Sequence, residues 1–128
     1  MLKTMMVITL LSGDISRVEF DSMDKCLEHR QEVINRIYEG LNPGGAFIFG
    51  EKTYSCSSKV QDMLTFMHYD FKRESFSPEE IMDKEQTLRN MLRPNTWTEL
   101  SDMLKNAGFE SVQTFWQNHL FVGAIAIK

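Results

Sequence analysis

The stretch Val33-Ile34-Asn35-Arg36-Ile37-Tyr38-Glu39-Gly40-Leu41-Asn42-Pro43-Gly44-Gly45-Ala46-Phe47-Ile48-Phe49-Gly50-Glu51-Lys52 passes from a helical pattern to a strand pattern within one short turn. Val33, Ile34, Ile37 and Leu41 recur at helical spacing, Gly40 is placed to stop the helix, and Pro43 cannot continue it. Gly44 and Gly45 free the backbone to enter Ala46-Phe47-Ile48-Phe49, a short apolar run of the kind that a parallel sheet buries on both faces. The expectation is half of a βαβ unit, and with it an α/β fold class.

Toward the amino terminus, Met5 to Leu11 reads as a strand, Ser12-Gly13-Asp14 as a turn, and Arg17 to Phe20 as a short alternating strand able to form a hairpin with the first. Ser22 or Asp24 is placed to cap a helix from about Lys25 to Glu39, with Glu28, Arg30, Glu32 and Arg36 on its polar face. Toward the carboxyl terminus, Lys59 to Arg73 returns to helical spacing through Val60, Leu64, Met67 and Phe71. Ser77-Pro78-Glu79-Glu80 starts a further helix, with a cap, a proline at the first position and acidic residues at the positive dipole end; it runs through Ile81, Lys84, Leu88 and Met91 to Pro94. A last helix starts at Thr96 or Thr98 and ends at Gly108, and Ser111–His119 with Leu120–Lys128 reads as a closing antiparallel hairpin.

The turn Leu41-Asn42-Pro43-Gly44-Gly45 resembles the one that precedes the fifth strand of S-adenosylmethionine-dependent methyltransferases. Met67-His68-Tyr69-Asp70-Phe71-Lys72-Arg73, Glu80-Ile81, Lys84, Leu104-Lys105-Asn106-Ala107-Gly108-Phe109, Trp116-Gln117 and the tail Ala124 to Lys128 resemble one subfamily, carboxy-S-adenosyl-L-methionine synthase. The likeness runs from about Leu27 to Lys128, while residues 1–26 read as a leader unlike the family, all within a single domain 1–128. It implies a partial Rossmann-like methyltransferase fold: the rear half of the sheet, the antiparallel hairpin and flanking helices. It further implies S-adenosyl-L-methionine or carboxy-S-adenosyl-L-methionine as cofactor and a place in wobble-uridine modification of transfer RNA. No glycine-rich loop follows an early strand and no acidic residue closes a second one, although a cofactor site of that type uses both. The expectation is therefore a truncated chain, weakly active or inactive alone.

At 128 residues with 42% hydrophobic content, the chain can bury one core. Its net charge of −4 argues against broad nucleic-acid binding, leaving only a local patch at Lys72 and Arg73. Cys26 and Cys56 make neither a disulfide framework nor a zinc pattern, and Met5 to Leu11 is too short to span a bilayer, so a cytoplasmic protein with reduced thiols is expected, with no membrane partner.

Candidate chemistry is sparse. His68 and Lys72 share a helical face at i and i+4, but Asp70 points elsewhere, so the cluster reads either as a general base or as structural contacts at an interface. His119 falls in the hairpin turn and His29 on a solvent face, without metal spacing. Glu51, at the carboxyl end of a strand, is a candidate cofactor-binding residue because ligands of open α/β sheets bind there; its alternative is an ion pair with Lys52 or Lys59. Trp97, Phe115, Trp116 and Phe121 read as stacking surfaces or as core, and Met63, Met67, Met91 and Met103 as packing on apolar faces.

The resemblance implies an arginine that reaches the cofactor's carboxylate across a dimer interface, and Glu85 stands at that position here. Arg89, one turn further on the same face, is the replacement candidate, with Glu85 as its partner. The strand Ala46 to Glu51 is left with an uncovered edge, which Met5 to Leu11 or a second copy is expected to fill, so a homodimer is anticipated. Three readings stay open: a carboxy-S-adenosyl-L-methionine synthase relative, a non-catalytic dimerising interaction domain, and a small-molecule binder with a rebuilt site.

Overall fold

A computed structural model describes residues 4–9, 15–20, 30–91 and 94–128. In chain order the elements are β1 (Thr4–Thr9), β2 (Ile15–Phe20), α1 (Arg30–Gly40), β3 (Ala46–Lys52), α2 (Ser58–Lys72), α3 (Pro78–Met91), α4 (Trp97–Ala107), β4 (Ser111–Asn118) and β5 (Phe121–Ile127). The anticipated start of α1 before Arg30, its caps Ser22 and Asp24, and Glu28, His29 and Cys26 lie outside the described residues.

The central sheet has the order β3-β5-β4, with β5 antiparallel to both neighbours, so β3 and β4 run parallel without touching. Phe47 pairs with Ala126 and Glu51 with Val122 across β3 and β5. This corrects the expectation of a parallel strand buried on both faces. The sole partner of β3 among the described residues is antiparallel, and Ile48 remains exposed. An apolar run sets strand propensity, but the direction of pairing is set by the hairpin that closes the chain, which lays β5 between β3 and β4.

β1 pairs with β2 from Thr4↔Phe20 to Thr9↔Ile15 as a separate two-stranded sheet; among the described residues it comes close to β3 without entering its ladder. The hairpin itself is as the alternating pattern predicts.

The core lies on one face of the sheet. Ile34 from α1, Leu100 and Leu104 from α4, Phe47, Phe109 and Ala126 form one buried cluster, with Val33, Ile37 and Leu41 packed against it. α4 is fixed at both ends: Thr96 and Glu99 make a reciprocal capping box, and Gly108 closes the helix at φ 113°. Tyr38 packs edge-on to Phe109 with ring centroids 5.1 Å apart. The turn after α1 is held from the far end of the chain, since Lys128 Nζ donates to the carbonyls of Tyr38 and Leu41 at 2.7 and 2.8 Å.

α2 and α3 form a helical hairpin. The Ser75 and Phe76 amides both donate to the Lys72 carbonyl at 3.0 Å, which turns the chain. Ser77 then caps α3, its hydroxyl accepting from the Glu80 amide at 3.2 Å while the Glu80 carboxylate accepts from the Ser77 amide at 2.8 Å. Contrary to the packing reading of its methionines, α2 buries no side chain: Val60, Met63, Phe66, Met67 and Phe71 are exposed.

Candidate functional site

The α2–α3 hairpin brings together side chains that are far apart in sequence. Glu85 of α3 is only 4% exposed. Lys72 Nζ donates to its Oε1 at 2.7 Å, and the Tyr69 hydroxyl donates to its Oε2 at 3.3 Å. Arg89 Nη2 donates to the same Tyr69 hydroxyl at 2.9 Å, and its Nε lies 3.5 Å from Glu85 Oε2. A carboxylate is thus held by an ammonium, a phenol and a guanidinium. Burial alone would raise the Glu85 carboxyl, but the Lys72 hydrogen bond and the charges of Lys72, Lys52 and Arg89 outweigh it and hold the group below its usual range.

Beside this cluster lies a cavity of about 150 Å³ between α2, α3, the end of β3 and the start of β5, lined among others by Lys52, His68, Tyr69, Glu85, Arg89 and Phe121. The His68 ring packs 5.4 Å from His119 and 5.7 Å from Phe121, centroid to centroid. The Nδ1 atoms of His68 and His119 are buried without a hydrogen-bond partner. Burial pushes His68 down, and the positive charges of Lys72, His119 and Lys52 push it further, against an opposing pull from Glu85. Burial likewise lowers the Lys52 ammonium, with Lys72 and Arg89 adding to the shift and Glu85 opposing it.

The sequence-predicted site residues are divided between two places. Arg89 stands at the rim of this cavity, its side chain 62% exposed, with Glu85 as the anticipated partner. Glu51 instead lines a separate groove of about 80 Å³ with Arg30, Ile37, Phe49 and Leu100. Burial raises the Glu51 carboxyl, offset in part by Arg30 and the Lys52 backbone N–H. Its charge partner is therefore Arg30, expected on the polar face of α1 but found half-buried and bonded to Asn95. β3 alternates its side chains, so Glu51 and Lys52 leave the strand on opposite sides and Glu51 does not join Arg89.

His119 occupies the hairpin turn as expected, with a left-handed φ of 53°. Asp70 pairs with Arg73 on the exposed surface at 3.6 Å, so it gives His68 no dyad. Trp97 packs against the core, whereas Phe115, Trp116 and Phe121 are exposed. Met103 also packs against the core, and the Met91 side chain lies outside the described residues. Cys56 is an exposed free thiol. Among the described residues no cluster of His, Cys, Asp and Glu could hold a metal ion, and no helix is long and apolar enough to cross a membrane. Lys52 and the Lys72–Glu85 pair escaped sequence reasoning as site features; the only available signal was the short hairpin that folds α3 back on α2.

The architecture is that of an α/β protein whose charged cluster sits at the carboxyl end of a sheet strand. A possible exported protein from Bordetella parapertussis shares this fold at a TM-score of 0.51 and 22% identity, over 79% of this chain and 33% of that one. No family model matches the chain. Curated relatives do: the carboxy-S-adenosyl-L-methionine synthase of Shewanella piezotolerans is 32% identical over 94% of this chain and 54% of its own length. The synthases of Staphylococcus epidermidis and Pseudoalteromonas atlantica are 37% and 38% identical over 80% and 77% of this chain, and 45% and 41% of their own. The chain is a relative of the carboxy-S-adenosyl-L-methionine synthases and spans about half the length of those it matches. An alignment that covers 94% of the chain necessarily enters residues 1–26.

Proposed function

We propose that this chain serves S-adenosyl-L-methionine-dependent transferase chemistry of the carboxy-S-adenosyl-L-methionine synthase type, within wobble-uridine modification of transfer RNA. The carrying observation is its 30–38% identity to relatives bearing that name. S-adenosyl-L-methionine or its carboxylated form is the proposed ligand. Arg89 suits the ligand's carboxylate, because a guanidinium at a cavity rim pairs bidentately with a planar anion. Residues 1–128 act as one domain in this reading. The chain contributes positioning and electrostatics, and alone it is weakly active or inactive, since its sequence carries no glycine-rich cofactor loop.

Isothermal titration with both cofactors tests this. Binding of either one, weakened more than about fivefold by Arg89→Ala, supports the reading. Two silent titrations overturn it.

A second reading, a dimerising interaction domain, is favoured by the apolar surface of α2, where Phe66 is 65% exposed, and by the β3 edge that pairs on one side only among the described residues. A homodimer is the proposed state, in the cytoplasm and without direct nucleic-acid or membrane contact. Light scattering after size exclusion should give twice the chain mass, and a clean monomer would refute it.

A further inference from the structure

Lys52 ends β3 with its ammonium in the cavity between α2 and α3, and it differs from the other lysine of this region. Lys72 is tied to Glu85 at 2.7 Å. Lys52 has no carboxylate within 4.0 Å among the described residues, and its Nζ lies 5.8 Å from the Phe121 ring centroid. We propose that Lys52 is a nucleophilic amine that captures small carbonyl compounds as an imine inside this cavity. This chemistry is separate from the S-adenosyl reading above and does not rest on it.

Four observations converge. The cavity of about 150 Å³ admits a short aldehyde or oxo acid, being roughly five times the volume of a liquid water molecule. Burial, opposed by Glu85 and aided by the positive neighbours Lys72 and Arg89, lowers the Lys52 ammonium and so raises the fraction of free amine, which is how lysines are activated as nucleophiles. His68 lines the same space with an unpartnered Nδ1 and a lowered pKa, so it is a neutral imidazole at pH 7 that can take up and return a proton. Arg89 at the rim offers a guanidinium to a carboxylate at the other end of an oxo acid.

The step balances without an oxidant or reductant. The Lys52 Nζ lone pair adds to the carbonyl carbon, and the π pair moves to oxygen, which takes a proton while nitrogen loses one. The resulting carbinolamine takes a proton on its hydroxyl from His68 and expels it as water while the nitrogen lone pair forms the C=N bond, and the iminium N–H then returns its proton to the His68 imidazole. One amine and one carbonyl give one imine and one water.

Brief exposure of the full chain to glyoxylate or propanal at pH 7 with cyanoborohydride would fix any imine as a secondary amine, and peptide mass mapping would locate it. Lys59, Lys84 and Lys105 are exposed and serve as internal references. Lys52 should carry the adduct at least about fivefold above each of them with one or both aldehydes. Lys52→Arg keeps the charge and cannot form the adduct, so modification of that peptide should vanish and total labelling should fall to that of the reference lysines, while circular dichroism stays unchanged. Uniform labelling of the four lysines in the wild-type chain, with both aldehydes, would overturn the proposal whatever the variant does.

Discussion

Phe47 and Ile48 are neighbours on β3, yet Phe47 is 8% exposed while Ile48 is 38% exposed. The difference lies in what stands over each face of the strand. α1 and α4 close over Phe47 and Ala126, and α4 is capped at both ends by residues suited to that task. The opposite face, which carries Ile48, Lys52 and the paired residues Ile125 and Phe121, meets the α2–α3 hairpin at its Lys52 end. One face holds the apolar core, and the other ends in a charged cavity. Hydrophobicity along the strand is similar on both; the covering helices decide which side is buried.

The largest effect expected from this contrast is at Leu104, which is fully buried. Leu104→Ala should cost about 2–5 kcal/mol in urea unfolding, because a cavity is left among Ile34, Phe47 and Leu100. Ile48→Ala on the open face should cost less than about 1 kcal/mol. If the two substitutions cost the same, the open face is covered in solution, and a second copy becomes the natural cover.

Next comes the charged cavity. Glu85→Gln keeps the shape of the side chain but leaves Lys72, Tyr69 and Arg89 without their carboxylate. The expected loss is about 2–3 kcal/mol by chemical denaturation, below the upper range for buried pairs because Lys72 keeps some solvent contact. Adding Lys72→Met to Glu85→Gln should return part of that loss, since no lone charge then remains. A loss that persists undiminished in the double variant would show that the cluster is not held by this ion pair.

Much of this architecture was legible in the sequence where a local signal carries it. Gly108, Thr96 as one of two candidate helix starts, Ser77 with Pro78, and the helical spacing of Val33, Ile34, Ile37 and Leu41 all mark what they predict. Those signals act within one turn of chain, so a sequence displays them whole. The antiparallel placement of β5 against β3 is not of that kind, because it joins residues more than 70 positions apart, such as Phe47 and Ala126. Arg89 and Glu85 were readable as an i, i+4 pair, whereas the Lys72–Glu85 bond depends on how two helices cross. Glu51 was correctly placed near the end of a strand, but its face depends on which helix covers β3, and Arg30 rather than Lys52 or Lys59 became its charge partner.

Gly108 offers a smaller test on the closed face. Its φ of 113° disfavours any side chain, and an added Cβ would sit 2.8 Å from Tyr38 Cζ. Gly108→Ala should destabilise by about 1–2 kcal/mol and push Tyr38 off Phe109, readable as a change in near-ultraviolet dichroism.

The least of these effects is the pH slope that His68 gives the open face. His68 has a folded pKa below its ordinary 6.5, so the unfolded chain binds more protons near that pH, and stability must fall as pH drops through 6.5 toward the folded value. Glu51 works in the opposite sense, because its raised carboxyl loses stability as pH rises from 4.5 toward its folded value. Glu85, held below its usual range, contributes only below 4.5. The clean reading is therefore the difference between wild type and His68→Phe, a ring that can remain stacked with Phe71 and Phe121. Thermal midpoints taken from pH 7 downward should fall more steeply for wild type than for the variant. Parallel curves would mean that the imidazole is as easily protonated in the fold as out of it, and the open face would then lose its claim to a desolvated, positively charged cavity.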